Sequence, residues 1–388
     1  MLRYKDIEKL HLEVSSKCNA ACVRCPRNVD GGFKIPGLIE EEFTLKKFKS
    51  AFSNEFLQQI KYILFCGDYG DAGTCKDLNK ILKHIKDTNS NIAITLTTNG
   101  SVRTPEFWRE TASILNPDKD AVRWSIDGLK DTNHLYRKNT IWSKIIENVT
   151  AFIDAGGSAH WDYLIFGYNE HQIEEAESLS EELGFKMFLK KKALGFISNG
   201  DGVSQIHTRD RNGVYEYSID APSEENLNVI NNKSSKITPE IENISLHDFN
   251  TEYNHYKTNI LNKNYPDHIV EETKVAIDCA SVRRREIYVD ASGGVHPCCY
   301  LGHVSQEKAT GYGPIQYLLW IKENVGLEKI NCFLNNLEDI VNSDYFNKIK
   351  QTWDAHNIKN GKLLQCVRHC AVKDNMMKSI YNRTFENS

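Results

Sequence analysis

The stretch Cys18-Asn-Ala-Ala-Cys22-Val-Arg-Cys25 closely follows an alternating apolar run that ends at Val14. Its three thiols lie within eight residues, separated by three and then by two residues, after a predicted strand over residues 10–15. Such spacing lets one short loop hold an iron–sulfur cluster, because cysteine thiolates are the usual ligands. A [4Fe–4S] cluster normally takes four thiolates, so the loop predicts one iron without a protein ligand, and an open position is where metal sites do chemistry. The alternatives are a half-formed zinc site or structural cysteines grouped by chance.

The composition limits the class of protein. The chain has 388 residues, of which 40% are hydrophobic, enough for one large domain and a smaller one. Its formal net charge of −4 gives no overall attraction to nucleic acid. No apolar run approaches the ~18 residues that span a membrane, and the first residues lack the apolar core of a secretory signal. Eleven cysteines in such a chain favour metal ligands over disulfides. We therefore expect a cytoplasmic protein without nucleic-acid or membrane partners.

Apolar runs alternate with helical patterns through the first half of the chain. This repetition of strand and helix predicts a parallel sheet with helices on its outer face. Six strands are too few for a closed eight-stranded barrel, so we predict an open (β/α)6 barrel over residues 1–195, with reactive groups at the C-terminal ends of its strands. The predicted strands are residues 10–15, 62–66, 92–97, 122–126, 161–166 and 186–189, and the predicted helices lie near residues 43–59, 74–87, 105–115, 140–155 and 170–184.

Polar residues follow the second and fourth predicted strands. The run from Phe65 to Gly73 contains three glycines, which let backbone approach a ligand closely. It is not a phosphate-binding P-loop, because the glycine spacing is wrong and no Lys-Ser/Thr pair follows. The fourth strand ends in Trp-Ser-Ile-Asp-Gly, where alternation puts Ser125 and Asp127 on one face. Both side chains suit a ribose hydroxyl pair, and capping of the next helix is the alternative.

Taken in order, these motifs resemble the radical S-adenosylmethionine (SAM) superfamily. The resemblance implies that SAM binds the open iron of the cluster. It also implies that Gly70 and Asp71 belong to the loop whose backbone binds the SAM ammonium group, that Ser125 and Asp127 contact the ribose, and that Arg137 pairs with the SAM carboxylate. An exposed, unengaged arginine is the alternative for that last residue. The chain departs from the family at Ala72, where a proline is usual, and at Arg24, where an aromatic residue is common, so adenine recognition stays unassigned.

A second set of cysteines begins at Cys279. A predicted hairpin with a Ser-Gly-Gly turn brings Cys279 towards Cys298, and a close pair, Cys366 and Cys370, follows much later. The pattern resembles the twitch domain, a shortened relative of the SPASM domain found in radical SAM enzymes. The resemblance implies a small α+β domain over residues 275–388 that holds an auxiliary [4Fe–4S] cluster with these four thiolates.

Two questions about the second half stay open. A structural zinc site would also be satisfied by four thiolates, and Cys299 is an alternative ligand to its neighbour Cys298. Residues 196–274, rich in Asn, Ser, Asp and Glu, interrupt the alternation of strand and helix. We interpret them as an insertion or linker, either a substrate-binding lid or a long surface excursion.

The resemblance implies an enzyme that cleaves SAM reductively to methionine and a 5′-deoxyadenosyl radical, which takes hydrogen from a substrate C–H bond. An electron donor such as flavodoxin or ferredoxin is implied. We favour a peptide or protein substrate, because the insertion and the basic residues 190–192 and 283–285 suit an extended acidic partner. A carbohydrate-like small molecule is the alternative, and a non-catalytic zinc or iron–sulfur module is the rival from another class. Cys66, at a strand end, is a candidate hydrogen donor, with core packing as the alternative.

Overall fold

The first half of the chain repeats a strand and a helical segment. The computed structural model describes residues 2–193, 196–198, 204–223, 243–302 and 311–372. The strands are β1 (Lys9–Leu12), β2 (Tyr62–Phe65), β3 (Ala93–Thr98), β4 (Ala121–Ser125), β5 (Ala159–Ile165) and β6 (Met187–Lys192). The helices are α1 (Leu45–Ala51), α2 (Asn54–Gln59), α3 (Leu78–Thr88), α4 (Pro105–Ile114), α5 (Asn133–Tyr136), α6 (Trp142–Asp154) and α7 (Ile173–Leu183). The six strands pair in chain order and in parallel, so the predicted open barrel is confirmed.

The helical segment between β1 and β2 differs from the prediction. One helix was expected over residues 43–59, but α1 ends at Ala51 and Phe52 has an extended backbone. Ser53 then begins α2, and its side chain accepts a hydrogen bond from the Phe56 N–H. Serine is a strong N-cap residue. The break was therefore readable from the sequence.

Alternating residues give the two faces of the sheet different environments. Val122 and Trp124 on β4, and Trp161 and Tyr163 on β5, are fully buried in the core that the outer helices complete. The opposite face lines the barrel interior, and much of it is polar. Its polar positions include His11, Thr97, Arg123, His160, Asp162 and Lys191.

The described part of the insertion forms a small sheet and two helices. Strands β7 (Ile197–Ser198), β8 (Ser204–Arg209) and β9 (Tyr215–Asp220) pair antiparallel, and helices α8 (Leu246–Leu261) and α9 (Asp267–Glu272) follow. The rest of the predicted insertion lies outside the described residues.

The C-terminal part joins the barrel sheet. Strand β10 (Glu286–Val289) pairs in parallel with β1, with Leu10 opposite Ile287, and antiparallel with β11 (Val295–His296). The predicted hairpin therefore extends the barrel to an eight-stranded sheet. The helices here are α10 (Ala280–Arg284), α11 (Cys299–Gly302), α12 (Tyr312–Asn324), α13 (Leu337–Asn342), α14 (Asp344–Trp353) and α15 (Leu364–Cys370). Residues 373–388 of the predicted C-terminal domain lie outside the described residues.

Among the helices of the described residues, none combines the length and the apolar character needed to cross a membrane.

Candidate metal and cofactor site

The loop after β1 brings three thiols together. Burial, and then the charge of Cys22, raise the pKa of the Cys25 thiol to about 12. Burial raises the pKa of the Cys18 thiol, and the charges of Asp71, Cys22 and Cys25 act in the same direction. Two N–H groups approach Cys18 Sγ, from Ala20 N at 3.3 Å and Asn99 Nδ2 at 3.7 Å. Thiols that share a dry site with N–H donors fit cluster ligation, because metal binding removes their protons and the donors stabilise the thiolates.

The described residues offer no comparable site for a single metal ion. Among the described residues, no three Cys, His, Asp or Glu side chains lie close enough to hold one ion.

Asp127 and Arg137 form a buried ion pair beside the cysteine loop. Arg137 Nε lies 2.6 Å from one carboxylate oxygen of Asp127, and the Leu164 N–H donates to the other at 2.7 Å. Arg137 Nη1 lies 3.6 Å from Cys22 Sγ. Both oxygens of Asp127 therefore have partners inside the protein. This geometry makes Asp127 the residue that orients Arg137, whereas Ser125 lies nearly buried at the end of β4.

The loop after β2 packs directly against the start of the cysteine loop. A Cβ atom at Gly70 would lie 1.8 Å from the Ser15 carbonyl oxygen, so only glycine fits. The Asp71 carboxylate accepts hydrogen bonds from Thr98 Oγ1 at 2.9 Å and from the Asn99 N–H at 2.7 Å. Asp71 therefore ties the loops after β2 and β3 together with its side chain, which leaves its backbone as the part that the family resemblance assigns to SAM.

Glu13 holds the same loop and was missed by the sequence reading. Its side chain is buried, and one carboxylate oxygen accepts from the Tyr69 N–H at 2.7 Å and the Gly70 N–H at 3.0 Å. The Tyr288 hydroxyl approaches the other oxygen at 3.4 Å. The available signal was a charged residue inside the apolar run that precedes the cysteines.

The buried carboxyls predict a pH dependence of stability. Burial, and then the charge of Asp68, raise the pKa of Glu13 from 4.5 to about 8. The folded chain thus holds a proton that the unfolded chain has lost between these values, so the free energy of unfolding falls as pH rises through this window. Glu13→Gln removes that proton. Between about pH 5.5 and 7.5, we expect the free energy of unfolding to fall by about 1–3 kcal/mol less in the variant than in wild type, at 1.36 kcal/mol per pKa unit.

The measurement is urea unfolding of the anaerobically reconstituted protein at the two pH values. Glu182→Gln, an exposed residue of α7, serves as the control and should keep the wild-type difference. An unchanged difference in Glu13→Gln would show that Glu13 is not protonated in the folded chain.

An aromatic and aliphatic cluster covers the cysteine loop. Phe166 and Tyr168 stack with ring centroids 5.4 Å apart, and Tyr136 lies 4.6 Å from Phe166. These rings join a cluster with Cys22 and with Ile206 and Ile219 of the small sheet. The apolar side chains near the cysteines therefore come from the end of β5 and from the insertion. Arg24, at the position where the family commonly has an aromatic residue, provides none. The sequence signal was the Phe-Gly-Tyr run after the fifth strand.

Polar contacts join the small sheet to Asp30, which follows the cysteines in the chain, and to Leu135. The Arg209 N–H donates to the Asp30 carbonyl at 3.0 Å, and the two side chains lie 3.3 Å apart. A Cβ at Gly32 would lie 2.4 Å from the Asp210 carbonyl oxygen, which shows how closely the segments approach. The Tyr217 hydroxyl donates to the Leu135 carbonyl at 2.7 Å. The described strands of the insertion thus pack on the cysteine loop.

The four cysteines of the second set converge. Cys279, Cys298, Cys366 and Cys370 line one cavity. A hydrogen bond from the Cys370 thiol lowers the pKa of Cys279. Cys299 is not among the residues that line this cavity, and the charges that act on its thiol include those of Asp68 and Cys66, on the barrel side.

Cys66 lies at the C-terminal end of β2, where the prediction put it. Burial, and then the charge of Asp68, raise the pKa of its thiol to about 11. The group therefore keeps its S–H bond at neutral pH, as a hydrogen-atom donor requires. Its role stays a prediction.

The first half of the chain is similar to a known family. Residues 12–179 match the family model of the radical SAM superfamily. No curated protein sequence matches the chain. Among solved structures, Streptococcus suis SuiB is similar at 13% identity and a TM-score of 0.42, over 82% of this chain and 66% of SuiB. Native anSMEcpe with bound AdoMet is similar at 14% and 0.49, over 97% of this chain and 96% of that chain. BtrN in complex with AdoMet and 2-DOIA is similar at 12% and 0.41, over 92% of each chain.

Proposed function

We propose that the chain, whose residues 12–179 match the radical SAM family model, cleaves SAM beside Cys18, Cys22 and Cys25. The proposed substrate, from which it takes hydrogen, is a peptide or protein. When bound, the [4Fe–4S] cluster supplies the electron that splits SAM into methionine and a 5′-deoxyadenosyl radical. The observation that carries the proposal is the convergence of these thiols with Arg137, at the C-terminal ends of parallel strands.

The residues around the thiols have distinct tasks. Arg137 presents a planar guanidinium that suits the SAM carboxylate, and Asp127 holds it in place. Glu13 fixes the loop of Gly70, whose backbone is assigned to the SAM ammonium group. The Phe166 and Tyr168 rings belong to the apolar cluster that packs around Cys22, and charge interactions are stronger beside such a group than in water.

The second cysteine set supports an auxiliary [4Fe–4S] cluster. Four thiols at one cavity satisfy the usual ligand number. Cys298, which lines the cavity, is a better ligand than Cys299. A closed cluster here would accept an electron from a substrate radical or brace the C-terminal part.

We expect Cys298→Ala to lose most of the four auxiliary irons and Cys299→Ala to keep about eight irons per chain, because removing a ligand thiolate from the closed site destabilises the cluster that it binds. The measurement is iron and sulfide content after anaerobic reconstitution. Because the residues are adjacent and the change is identical, each variant controls for the other. The reverse pattern would make Cys299 the ligand.

A cleft beside the cysteine loop supports an extended substrate. It measures about 360 Å³, and its walls include Cys25, Val29 and Phe249 of α8. Clefts of this size with apolar walls and a few polar groups commonly bind ligands. The basic residues argue less for an acidic partner, because Lys190, Lys191, Arg283 and Arg285 each pair with a carboxylate of the chain itself.

The direct test is anaerobic reconstitution, reduction with dithionite and an assay for 5′-deoxyadenosine and methionine. Product formation supports the proposal, and its absence with an intact cluster overturns it. Reduced flavodoxin or ferredoxin then replaces dithionite as the donor. The substrate class is decided by testing a panel of peptides and a panel of sugars. Only members of the true class should increase 5′-deoxyadenosine formation, and only they should themselves change in mass.

A further inference from the structure

Three polar side chains inside the barrel have atoms without partners. Arg123 lies on β4 in register with His160 on β5, and Asp162 lies two residues further along β5. Arg123 Nε, His160 Nδ1 and Asp162 Oδ1 are buried, and none has a hydrogen-bond partner. All three side chains face the barrel interior, because the alternate residues of both strands pack against the outer helices. Unpaired atoms on neighbouring strands therefore share one location.

Such a group is unusual in a folded protein. A buried polar atom without a partner destabilises the fold, and native structures pair nearly all such atoms. A cluster of them indicates a partner that comes from outside the chain. Here that partner is ordered water or a ligand.

Arg123 argues for a ligand. Within the described part of the chain its guanidinium forms no ion pair, although it lies inside the barrel. Asp162 is different, because its second oxygen pairs with Lys191. Burial, and then the charge of Arg123, lower the pKa of His160, so the imidazole stays neutral and adds no second positive charge beside the arginine. A charged group away from water is stabilised by an opposite charge.

We propose that Arg123, His160 and Asp162 recognise the substrate, and that they bind a carboxylate next to a hydrogen-bond donor. The guanidinium fork matches a carboxylate with two parallel hydrogen bonds. Asp162 Oδ1 accepts the neighbouring N–H or O–H. A doubly charged phosphate fits less well, because it would lie beside the Asp162 carboxylate. An acidic side chain together with its own backbone N–H carries both groups.

The position of this site suits a substrate anchor. Asp162 is in register with Ser125 at the barrel mouth, and Arg123 lies two residues deeper, ~7 Å at the rise of a strand. Thr97, in register with Arg123, hydrogen-bonds Cys66. A carboxylate held here leaves the rest of the substrate pointing towards the predicted SAM contacts and Cys66. The inference rests on the proposed function, because it takes this ligand to be the reacting substrate.

The test is calorimetric titration of the anaerobically reconstituted full chain with SAM and without reductant. The probes are a capped tripeptide with a central glutamate, the same peptide with glutamine, and propionate. We expect the glutamate peptide to bind about tenfold more tightly than the glutamine peptide, which corresponds to 1.4 kcal/mol and lies near the lower end for a charged hydrogen bond. Arg123→Met should remove the preference, and Arg123→Lys should keep part of it. Arg109→Met, on the exposed side of α4, is the matched control and should keep all of it.

Propionate separates the two sources of a carboxylate. If propionate binds as tightly as the glutamate peptide, the result supports the carboxylate site and assigns it to a small free acid. Weaker binding of propionate supports a peptide. Equal binding of both peptides, binding of neither, or a preference that survives Arg123→Met overturns the inference and assigns the buried atoms to water. Iron content and the circular dichroism spectrum verify that each variant is folded.

Because no reductant is present, this binding is independent of SAM cleavage. Loss of 5′-deoxyadenosine formation with intact binding would reject the proposed function alone. The reverse result would reject the recognition site alone.

Discussion

Replacing Cys25 with alanine is expected to abolish 5′-deoxyadenosine formation, down to the level without enzyme. The three thiols of the loop are the whole protein ligand set of the proposed SAM-binding cluster, so losing one leaves two irons without a thiolate. Iron content should fall from about eight to about four per chain, because the auxiliary set is untouched. The assay is chromatography of 5′-deoxyadenosine after dithionite reduction, together with iron analysis of the same sample.

Cys75→Ala is the matched control. Cys75 is also a buried thiol of the hydrophobic core, but it belongs to neither cysteine set, and its Sγ donates to the Phe43 carbonyl at 3.2 Å. Removing it should cost about 1 kcal/mol of stability, a typical value for a point mutation, and should leave iron content and SAM cleavage unchanged. If Cys25→Ala still formed 5′-deoxyadenosine, the loop would not be the SAM site. If Cys75→Ala lost iron as well, the loss would reflect general destabilisation.

Local periodicity in the sequence predicted most of the barrel. The alternation of apolar residues located six strands whose pairing partners are neighbours in the chain, so their order followed from the repetition. The pairing of β10 with β1 did not follow, because Leu10 and Ile287 lie far apart in the sequence. A pattern read along the chain shows that a strand exists. It does not show which edge that strand joins.

The candidate site was likewise predictable only in part from the sequence. Spacing and resemblance grouped Cys279 with Cys298, Cys366 and Cys370, and these thiols do line one cavity. The resemblance selected Cys298 but left Cys299 as an alternative ligand, because adjacent side chains point in different directions that only the fold defines. Asp127 illustrates the same limit. Its place at a strand end was visible, but the partners of its two oxygens depend on Arg137 and on the next strand.

Replacing Asp127 with asparagine is expected to lower the free energy of unfolding by about 3–5 kcal/mol, because it leaves the buried Arg137 guanidinium without its counter-charge. The side chains of this pair are 0% and 16% exposed, so water screens them little. SAM cleavage should fall as well, since Arg137 loses the partner that orients it. Urea unfolding under anaerobic conditions measures the first effect, and 5′-deoxyadenosine formation measures the second.

A double variant separates folding from catalysis. Asp127→Asn combined with Arg137→Met removes both charges, so it should be more stable than the sum of the single changes predicts, by about 0.5–3 kcal/mol. It should nevertheless stay inactive, because the group proposed for the SAM carboxylate is gone. Asp87→Asn breaks the exposed Lys83–Asp87 pair and should cost no more than about 0.5 kcal/mol. If Asp127→Asn cost as little as Asp87→Asn, the Arg137 charge would be compensated by other groups, and Asp127 would not be the residue that positions it.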